Sequence, residues 1–125
     1  MSLSVAVYLL DENGKRHFVA PPECFEEHAG FESWRTGVWG NEAVRALRTR
    51  FFPVLADGDL FVNPDEVQSF VLETKTIRSF LADIAPQGDE HHDRQWYLDT
   101  ISWRLTNIQL LAAYALGIGG GVVIW

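Results

Sequence analysis

The stretch that decides the fold is 117–125, GIGGGVVIW, in which four glycines within five residues precede four apolar residues. A dinucleotide-binding loop has the pattern G-x-G-x-x-G, follows a strand and opens a helix whose amino terminus meets the phosphates. Here the glycines follow a predicted helix, Val122 stands at the place of the third glycine, and no residue after Trp125 is present to form a helix. Order and spacing therefore both argue against a phosphate-binding loop.

A membrane anchor is the second interpretation of this tail, because no charged residue occurs at 105–125. Thr106, Asn107 and Gln109 interrupt the apolar run, and the 16 residues that remain at 110–125 include the four glycines. A helix of that length spans about 24 Å, whereas the hydrocarbon core of a bilayer is about 30 Å thick. We therefore expect no membrane partner.

The remaining interpretation of the tail is structural. Gly117 is expected to end a helix in the left-handed conformation, and the glycines at 119–121 let the chain reverse tightly. The segment VVIW (122–125) then forms a strand that is apolar on both faces, which is typical of a position inside a sheet. We expect this strand to lie beside the first strand of the chain.

That first strand is predicted at 4–10, SVAVYLL, with a return strand at 16–20, RHFVA. Asn13-Gly14 favours a two-residue type I′ turn, because both central residues of that turn need positive φ. The short loop predicts Leu9 opposite Phe18 and two faces for the hairpin. One face carries Val5, Val7, Leu9 and Phe18; the other carries Tyr8, Leu10, His17 and Val19, and is apolar enough to be a candidate interface for self-association.

Three main helices are predicted. Asn41 is expected to cap a helix at 42–52, which Pro53 ends. The motif NPDE (63–66) combines a cap residue, a first-turn proline and a capping-box glutamate, and so starts a helix that runs to Pro86. The last helix is expected from about Asp89 to Leu116, with two apolar stripes about 120° apart. The stripes are Tyr97, Ile101, Leu105, Ile108, Ala112 and Ala115, and Trp96, Trp103, Leu110 and Tyr114.

These elements predict a single α+β domain over 1–125. Its small sheet consists of the N-terminal β-hairpin plus the C-terminal strand, and it packs on a bundle of about three main helices. The formal net charge of −7 argues against nucleic acid as a partner and is compatible with a basic protein partner. The one cysteine, Cys24, rules out an internal disulfide, and the absence of a signal sequence predicts a cytoplasmic location.

Glu90, His91, His92 and Asp93 form the only cluster of metal-ligand types in the sequence. Adjacent histidines point about 100° apart on a helix, whereas a helical zinc site spaces its ligands at i and i+4. A third ligand would have to come from another segment, such as His17 or His28. We expect a solvated helix start, with no metal and no cofactor.

Arg104 and Asn107 fall inside the apolar arc of the last helix, where polar groups need partners. One interpretation is structural: Arg104 pairs with an acid such as Asp57, Asp59 or Glu73, and Asn107 bonds to a loop backbone. The other is a binding pocket in which Arg104 holds an anion.

Trp34, Arg35 and Trp39 lie in a glycine-punctuated stretch and are the best sequence candidates for a contact surface, since Trp and Arg are enriched in interface hot spots. Core packing of each tryptophan is the competing interpretation. No nucleophile motif with meaningful spacing is present.

The segments VWGNEAVRALRTRFFPVLADGDLFV (38–62), PDEV (64–67) and GGGVVIW (119–125) resemble a group of short uncharacterised bacterial proteins of high-GC, actinobacterial type. In size, acidity and Trp content the chain is also similar to the immunity proteins of bacterial toxin systems. The second resemblance implies a non-catalytic protein that binds another protein, immunity-type or regulatory. The alternative is a small-molecule- or metal-dependent enzyme with a pocket near Arg104, His91 and His92.

Overall fold

The computed structural model of the protein describes residues 2–125 and has the α+β architecture that the sequence predicts. Its strands are β1 (Ser2–Leu10), β2 (Arg16–Val19), β3 (His28–Phe31), β4 (Leu60–Val62) and β5 (Gly121–Ile124). Its α-helices are α1 (Glu42–Ala46), α2 (Val67–Ser79), α3 (Leu81–Ile84) and α4 (Arg94–Ile118). A π-helical turn at Arg35–Trp39 and 3₁₀ turns at Phe52–Ala56 and Pro64–Glu66 connect them.

The sheet is antiparallel, with the strand order β2-β1-β5-β4, and β3 pairs with the start of β1. Val122 of β5 lies opposite Val7 on one side and opposite Val62 on the other. Val122, Val123 and Ile124 are fully buried. The predicted interior position of the C-terminal strand is confirmed, because both its backbone edges are paired and both its faces are covered.

The register predicted for the hairpin is wrong by one residue. Tyr8 lies opposite Phe18, and Leu9 lies opposite His17. The Asp11 side chain accepts hydrogen bonds from the backbone N–H groups of Asn13 and Lys15, both at 2.9 Å, and this supports a three-residue loop with Gly14 at φ 79°. Because side chains alternate along a strand, the shift moves Phe18 to the same face as Tyr8.

The predicted end of the last helix is also wrong. Gly117 stays helical, and Gly119 is the left-handed residue, with φ 72°. The chain then closes the helix with a 2.8 Å hydrogen bond from the Gly120 N–H to the carbonyl of Ala115. The start is later than predicted as well, because the Asp93 carboxylate caps α4 by accepting the Trp96 N–H at 2.8 Å.

The helix predicted at 42–52 is interrupted. Asn41 caps α1 as expected, through the Val44 N–H, but α1 ends at Ala46. The Glu73 carboxylate of α2 accepts the backbone N–H groups of Phe51 and Phe52, both at 2.9 Å. A side chain distant in sequence therefore satisfies donors that a longer helix would have used. Residues 47–51 form irregular turns, and the 3₁₀ turn begins only at Phe52.

The NPDE start is confirmed: Asn63 and Glu66 form the predicted capping box. The helix is nevertheless divided at Phe80 into α2 and α3. α4 packs against both the sheet and α2, and most of its first stripe is fully buried. The second stripe is largely outside the core, with Trp103 50 % exposed. Among residues 2–125, no helix has the length and apolar character needed to cross a membrane.

Candidate functional site

The outer face of the sheet carries three exposed aromatic rings. Phe18 is 52 %, Trp125 41 % and Phe61 40 % exposed. The rings lie next to one another, with centroids 5.1 Å apart for Phe18 and Trp125 and 6.4 Å apart for Phe61 and Trp125. The guanidinium of Arg16 lies 4.4 Å from the Phe61 centroid. We call Phe18, Phe61, Trp125 and Arg16 the aromatic sheet face.

Tyr8 forms the floor of the aromatic sheet face. It is fully buried, and its hydroxyl donates a 2.8 Å hydrogen bond to the carbonyl of Val62. To reach that carbonyl the ring crosses Gly121, where a Cβ atom would lie 2.3 Å from Tyr8 Cζ. The floor of the face is therefore a buried side chain that a hydrogen bond holds in place.

A second candidate site is an aromatic cleft of about 210 Å³. It lies where the end of β3 and the following turn meet the start of α4, and Phe31, Ser33, Trp34, His92, Trp96 and Tyr97 line it. Pairs of these rings stand nearly at right angles: Trp34 at 77° to Phe31, and Tyr97 at 87° to Trp96. We call this set the aromatic cleft.

Gly30 positions the wall of the aromatic cleft. Its φ is 114°, a conformation that favours glycine. A Cβ atom at this position would lie 2.3 Å from Cε3 of Trp34. The absent side chain lets the indole of Trp34 pack directly on β3, beside the cleft.

Asp89 organises the loop on the other side of the cleft. Its Oδ1 accepts the N–H groups of His91 and His92, at 2.8 and 2.9 Å, and its Oδ2 accepts the Tyr97 hydroxyl at 2.8 Å. Hydrogen bonds from the His92 backbone, the Tyr97 hydroxyl and the His91 backbone lower the pKa of Asp89 to about 2. The same bond to Asp89, with some burial, raises the pKa of Tyr97. A carboxylate that is ionised at neutral pH therefore lies beside the cleft.

Trp34, Arg35 and Trp39 do not form the exposed surface that the sequence suggested. Trp34 is 3 % and Trp39 0 % exposed, and the Trp39 Nε1–H donates to the carbonyl of Ala29 at 2.9 Å. Both indoles are core residues, because the π-helical turn directs them inward, although Trp34 also contributes to the cleft. Arg35 is engaged in ion pairs with Glu32 and Asp59.

Arg104 has none of the acidic partners that the structural interpretation named. Its guanidinium lies 4.3 Å from the Trp103 ring centroid. Within the described chain, residues 2–125, its Nε and Nη1 are buried without a hydrogen-bond partner. Asn107 donates a 3.1 Å hydrogen bond to the carbonyl of His28, the backbone contact predicted for it, although on strand β3 rather than a loop. An anion site at Arg104 stays a prediction.

The histidine pair does not share a site with Arg104. His92 stacks on Trp96 with centroids 3.5 Å apart, whereas the His91 Nε2 lies 3.6 Å from Glu90 Oε1 on the surface. Arg104 is ten residues beyond the start of α4, a rise of about 15 Å, and it does not line the cleft. Over residues 2–125, no group of three or more His, Cys, Asp or Glu side chains is arranged to hold a metal ion.

Sequence reasoning missed most of both sites. The one-residue register error hid Phe18 by assigning it to the face of Val5 and Val7. Phe61 carried a usable signal, because it alternates with the buried Leu60 and Val62. Phe31 and Trp96 belong to segments 65 residues apart in the chain, so no local pattern could place their rings in one cleft.

The comparisons with known proteins provide no relative for this chain. No family model, no curated protein and no solved structure matches it.

Proposed function

We propose that this is a non-catalytic binding protein that contacts another protein through the aromatic sheet face. The observation that carries the proposal is the contiguity of Phe18, Phe61 and Trp125, each at least 40 % exposed, on one side of the sheet. Single exposed apolar residues are ordinary on protein surfaces, but adjoining ones mark interaction sites. Burial of these rings by a partner would release the water that they order.

The composition of the face supports a protein partner. Aromatic residues and arginine are enriched where interfaces concentrate their binding energy. Arg16 forms no ion pair among residues 2–125 and lies over the rings of Phe61 and Tyr8. Its charge is therefore available to a carboxylate or carbonyl group of the partner.

The rigidity of the face also favours binding. Phe18 and Trp125 contact each other above the hydrogen-bonded Tyr8, so their rotamers are already restricted before a partner arrives. Ordering a free side chain at an interface costs about 0.5–1.5 kcal/mol. A preformed aromatic surface avoids much of that cost. An immunity-type or regulatory protein is the concrete form of this proposal.

The test is capture of partners from a lysate of the source organism by the wild-type chain and by two variants. The triple variant Phe18→Ser, Phe61→Ser, Trp125→Ser removes the rings of the face. Trp103→Ser removes a comparably exposed aromatic ring on α4 as a matched control. We expect wild type and the control to retain one specific partner that the folded triple variant loses.

Equal capture by all three proteins would contradict the proposal. Light scattering on the same proteins identifies self-association: a dimer that only the triple variant loses would show that the partner is a second copy of this chain. Quenching of tryptophan fluorescence by acrylamide is then compared with and without the captured partner in the Trp103→Ser control, which lacks the other strongly exposed indole, and reports whether Trp125 becomes covered.

A further inference from the structure

We propose that the aromatic cleft binds the cationic head of an alkylated ammonium compound, such as a trimethylammonium group. This site is separate from the aromatic sheet face and does not depend on the proposed function. Its lining residues come from β3, the turn after it and the start of α4, whereas the sheet face comes from β2, β4 and the residue after β5.

The arrangement of the rings supports a cation. Phe31 and Trp96 are nearly parallel, at 21° with centroids 6.3 Å apart, Trp34 stands at 77° to Phe31, and Tyr97 stands at 87° to Trp96. The imidazole of His92 stacks on Trp96, so the rings left open to a ligand are chiefly those of Phe31 and Tyr97 and the remainder of Trp96. Aromatic rings of different orientation therefore line one small space. A cation is attracted to an aromatic face within about 6 Å of the ring centroid, and several such rings are how proteins recognise quaternary ammonium groups.

The charges near the cleft favour a cation over an anion. No lysine or arginine lines it. The two arginines that lie close in sequence to lining residues are both engaged: Arg35, which follows Trp34, pairs with Glu32 and Asp59, and Arg94, two residues before Trp96, donates to the carbonyls of Ala82 and Ala85. The Asp89 carboxylate reaches the cleft through its hydrogen bond to Tyr97.

The helix start beside the cleft does not offset this preference. The positive end of a helix dipole attracts anions when its N–H groups are free. Here the carboxylate of Asp93 already accepts the Trp96 N–H, and that of Asp89 accepts the N–H groups of His91 and His92. These two carboxylates place negative charge at the helix start beside the cleft.

The size of the cleft limits the ligand. Its volume of about 210 Å³ is below the roughly 300–1,000 Å³ of pockets that enclose a drug-sized molecule. It suits one compact head group or the end of one side chain. The same ammonium chemistry occurs in free metabolites and in methylated lysine side chains, so the test includes both sources.

The experiment is a titration followed by NMR, with the indole N–H signals of Trp34 and Trp96 as reporters. Choline is the cationic probe, and 3,3-dimethylbutan-1-ol, which has the same shape without the charge, is the neutral probe. A trimethyllysine peptide and its unmodified lysine counterpart represent the polypeptide source. We expect choline or the trimethyllysine peptide to shift both indole signals, and the neutral alcohol to bind at least about tenfold more weakly, since cation–π attraction is lost.

The variants locate the effect. Trp96→Leu should weaken the binding of choline about tenfold. Phe31→Leu removes an exposed ring and repeats the test if the first variant folds poorly. Asp89→Asn should weaken the binding of choline but leave the affinity for the neutral alcohol unchanged. Trp103→Leu, on the same helix, is the matched control and should change the affinity for neither probe.

Equal affinity for the charged and neutral probes would overturn the proposal, as would the absence of indole shifts at millimolar concentrations of choline and of the trimethyllysine peptide. Binding of choline alone identifies a free metabolite as the ligand type. Tighter binding of the trimethyllysine peptide identifies a modified protein. Neither result bears on the aromatic sheet face, because the cleft and the sheet face share no residue and each is tested with its own variants.

Discussion

The ring of Tyr8 lies across Gly121, so that the tyrosine of one strand occupies the space a side chain would need on its neighbour. A Cβ atom at Gly121 would be 2.3 Å from Cζ and 2.5 Å from the hydroxyl oxygen of Tyr8. This close approach joins three strands, because the Tyr8 hydroxyl donates beyond β5 to Val62 on β4. The glycine run that leads into β5 and includes its first residue, Gly121, is therefore a packing requirement of the sheet as well as a turn.

Gly121→Ala should lower the free energy of unfolding by about 2–4 kcal/mol, since overpacking costs about 1–3 kcal/mol and the Tyr8 hydrogen bond about 1 kcal/mol more. Gly117→Ala is the matched control. That glycine is inside α4 with nothing within 4 Å of its Cβ position, so alanine should stabilise the protein by about 0.5–1 kcal/mol. Denaturant unfolding measures both, and an unchanged midpoint for Gly121→Ala would refute the packing argument.

Deletion of Val122–Trp125 should unfold the protein. The segment supplies most of β5, which pairs with both β1 and β4 and contributes three fully buried side chains. Its loss exposes two unpaired strand edges and the sheet side of the core. Circular dichroism and one-dimensional NMR provide the measurement, and a truncated chain with dispersed signals would show that β5 is dispensable.

Gly30→Ala should displace the indole of Trp34 and lower the free energy of unfolding by about 1–3 kcal/mol, because its Cβ would overlap the ring and its φ is positive. Gly58→Ala is a suitable control, since nothing lies within 4 Å of that Cβ position. Trp34 and Trp96 indole signals should shift in the first variant alone. Native indole signals in Gly30→Ala would contradict the role of Gly30 in shaping the cleft.

The hydrogen bonds of Asp89 should persist in mild acid. Its folded pKa of about 2 is below the ordinary aspartate value of 3.8, so its contribution to stability is fully present above about pH 3.8 and is lost as the pH falls toward 2. The hydrogen bond that raises the pKa of Tyr97 has the opposite pH dependence. It stabilises the fold below pH 10, and this stabilisation is lost as the pH rises and the tyrosine ionises. Site-specific NMR titration measures both values.

Asp89→Asn should bring the pKa of Tyr97 back toward 10, because the charged acceptor of its hydroxyl is lost. Tyr114, on the same helix but away from the cleft, is the internal control. A Tyr97 pKa that is the same in wild type and variant would disprove the coupling.

Arg104→Met should leave the stability unchanged or raise it by about 1 kcal/mol, because buried polar atoms without partners are costly and methionine preserves the aliphatic packing. Arg78→Met is the contrasting variant. Arg78 bonds to Gln109, Ser102 and Thr106 of α4, so its loss should cost about 1–3 kcal/mol. Thermal unfolding compares the two.

An equal loss of stability in both arginine variants would contradict the unpartnered state of Arg104. The same samples test the predicted anion site: a stabilisation by phosphate that Arg104→Met abolishes would support it. If phosphate stabilises neither protein, that prediction fails.

Local signals in the sequence were reliable where they depended on neighbouring residues. The capping box of Asn63 and Glu66 and the cap at Asn41, both predicted, act within one helical turn. Asp93 shows the limit of this approach. Its side chain caps α4, but several acidic residues precede the helix, and the sequence prediction begins it at about Asp89, four residues before the true cap. The interior position of β5 followed from VVIW, because a strand with no polar face can only be covered on both sides.

The register of the hairpin and the length of α1 each depended on one carboxylate, whose hydrogen bonds outweighed a general preference of the local sequence. Asn-Gly favours a two-residue loop, but the carboxylate of Asp11 stabilises the longer one. Residues 50–52 have a helical pattern, yet Glu73 binds their N–H groups from another helix. Neither the length of the hairpin loop nor the end of α1 can be predicted from composition, because each depends on where one carboxylate side chain lies in the folded protein.

Hydrophobic periodicity and capping residues thus determined the α+β class, the place of the C-terminal strand and the buried stripe of α4, because these features follow from which side chains avoid water. The tertiary structure alone decided which aromatic residues remain exposed. Trp34 and Trp39 entered the core, while Phe18, Phe61 and Trp125 met on one face and Phe31 joined Trp96 in a cleft. A large ring is equally suited to a core and to an interface, and only long-range packing assigns it to one of them.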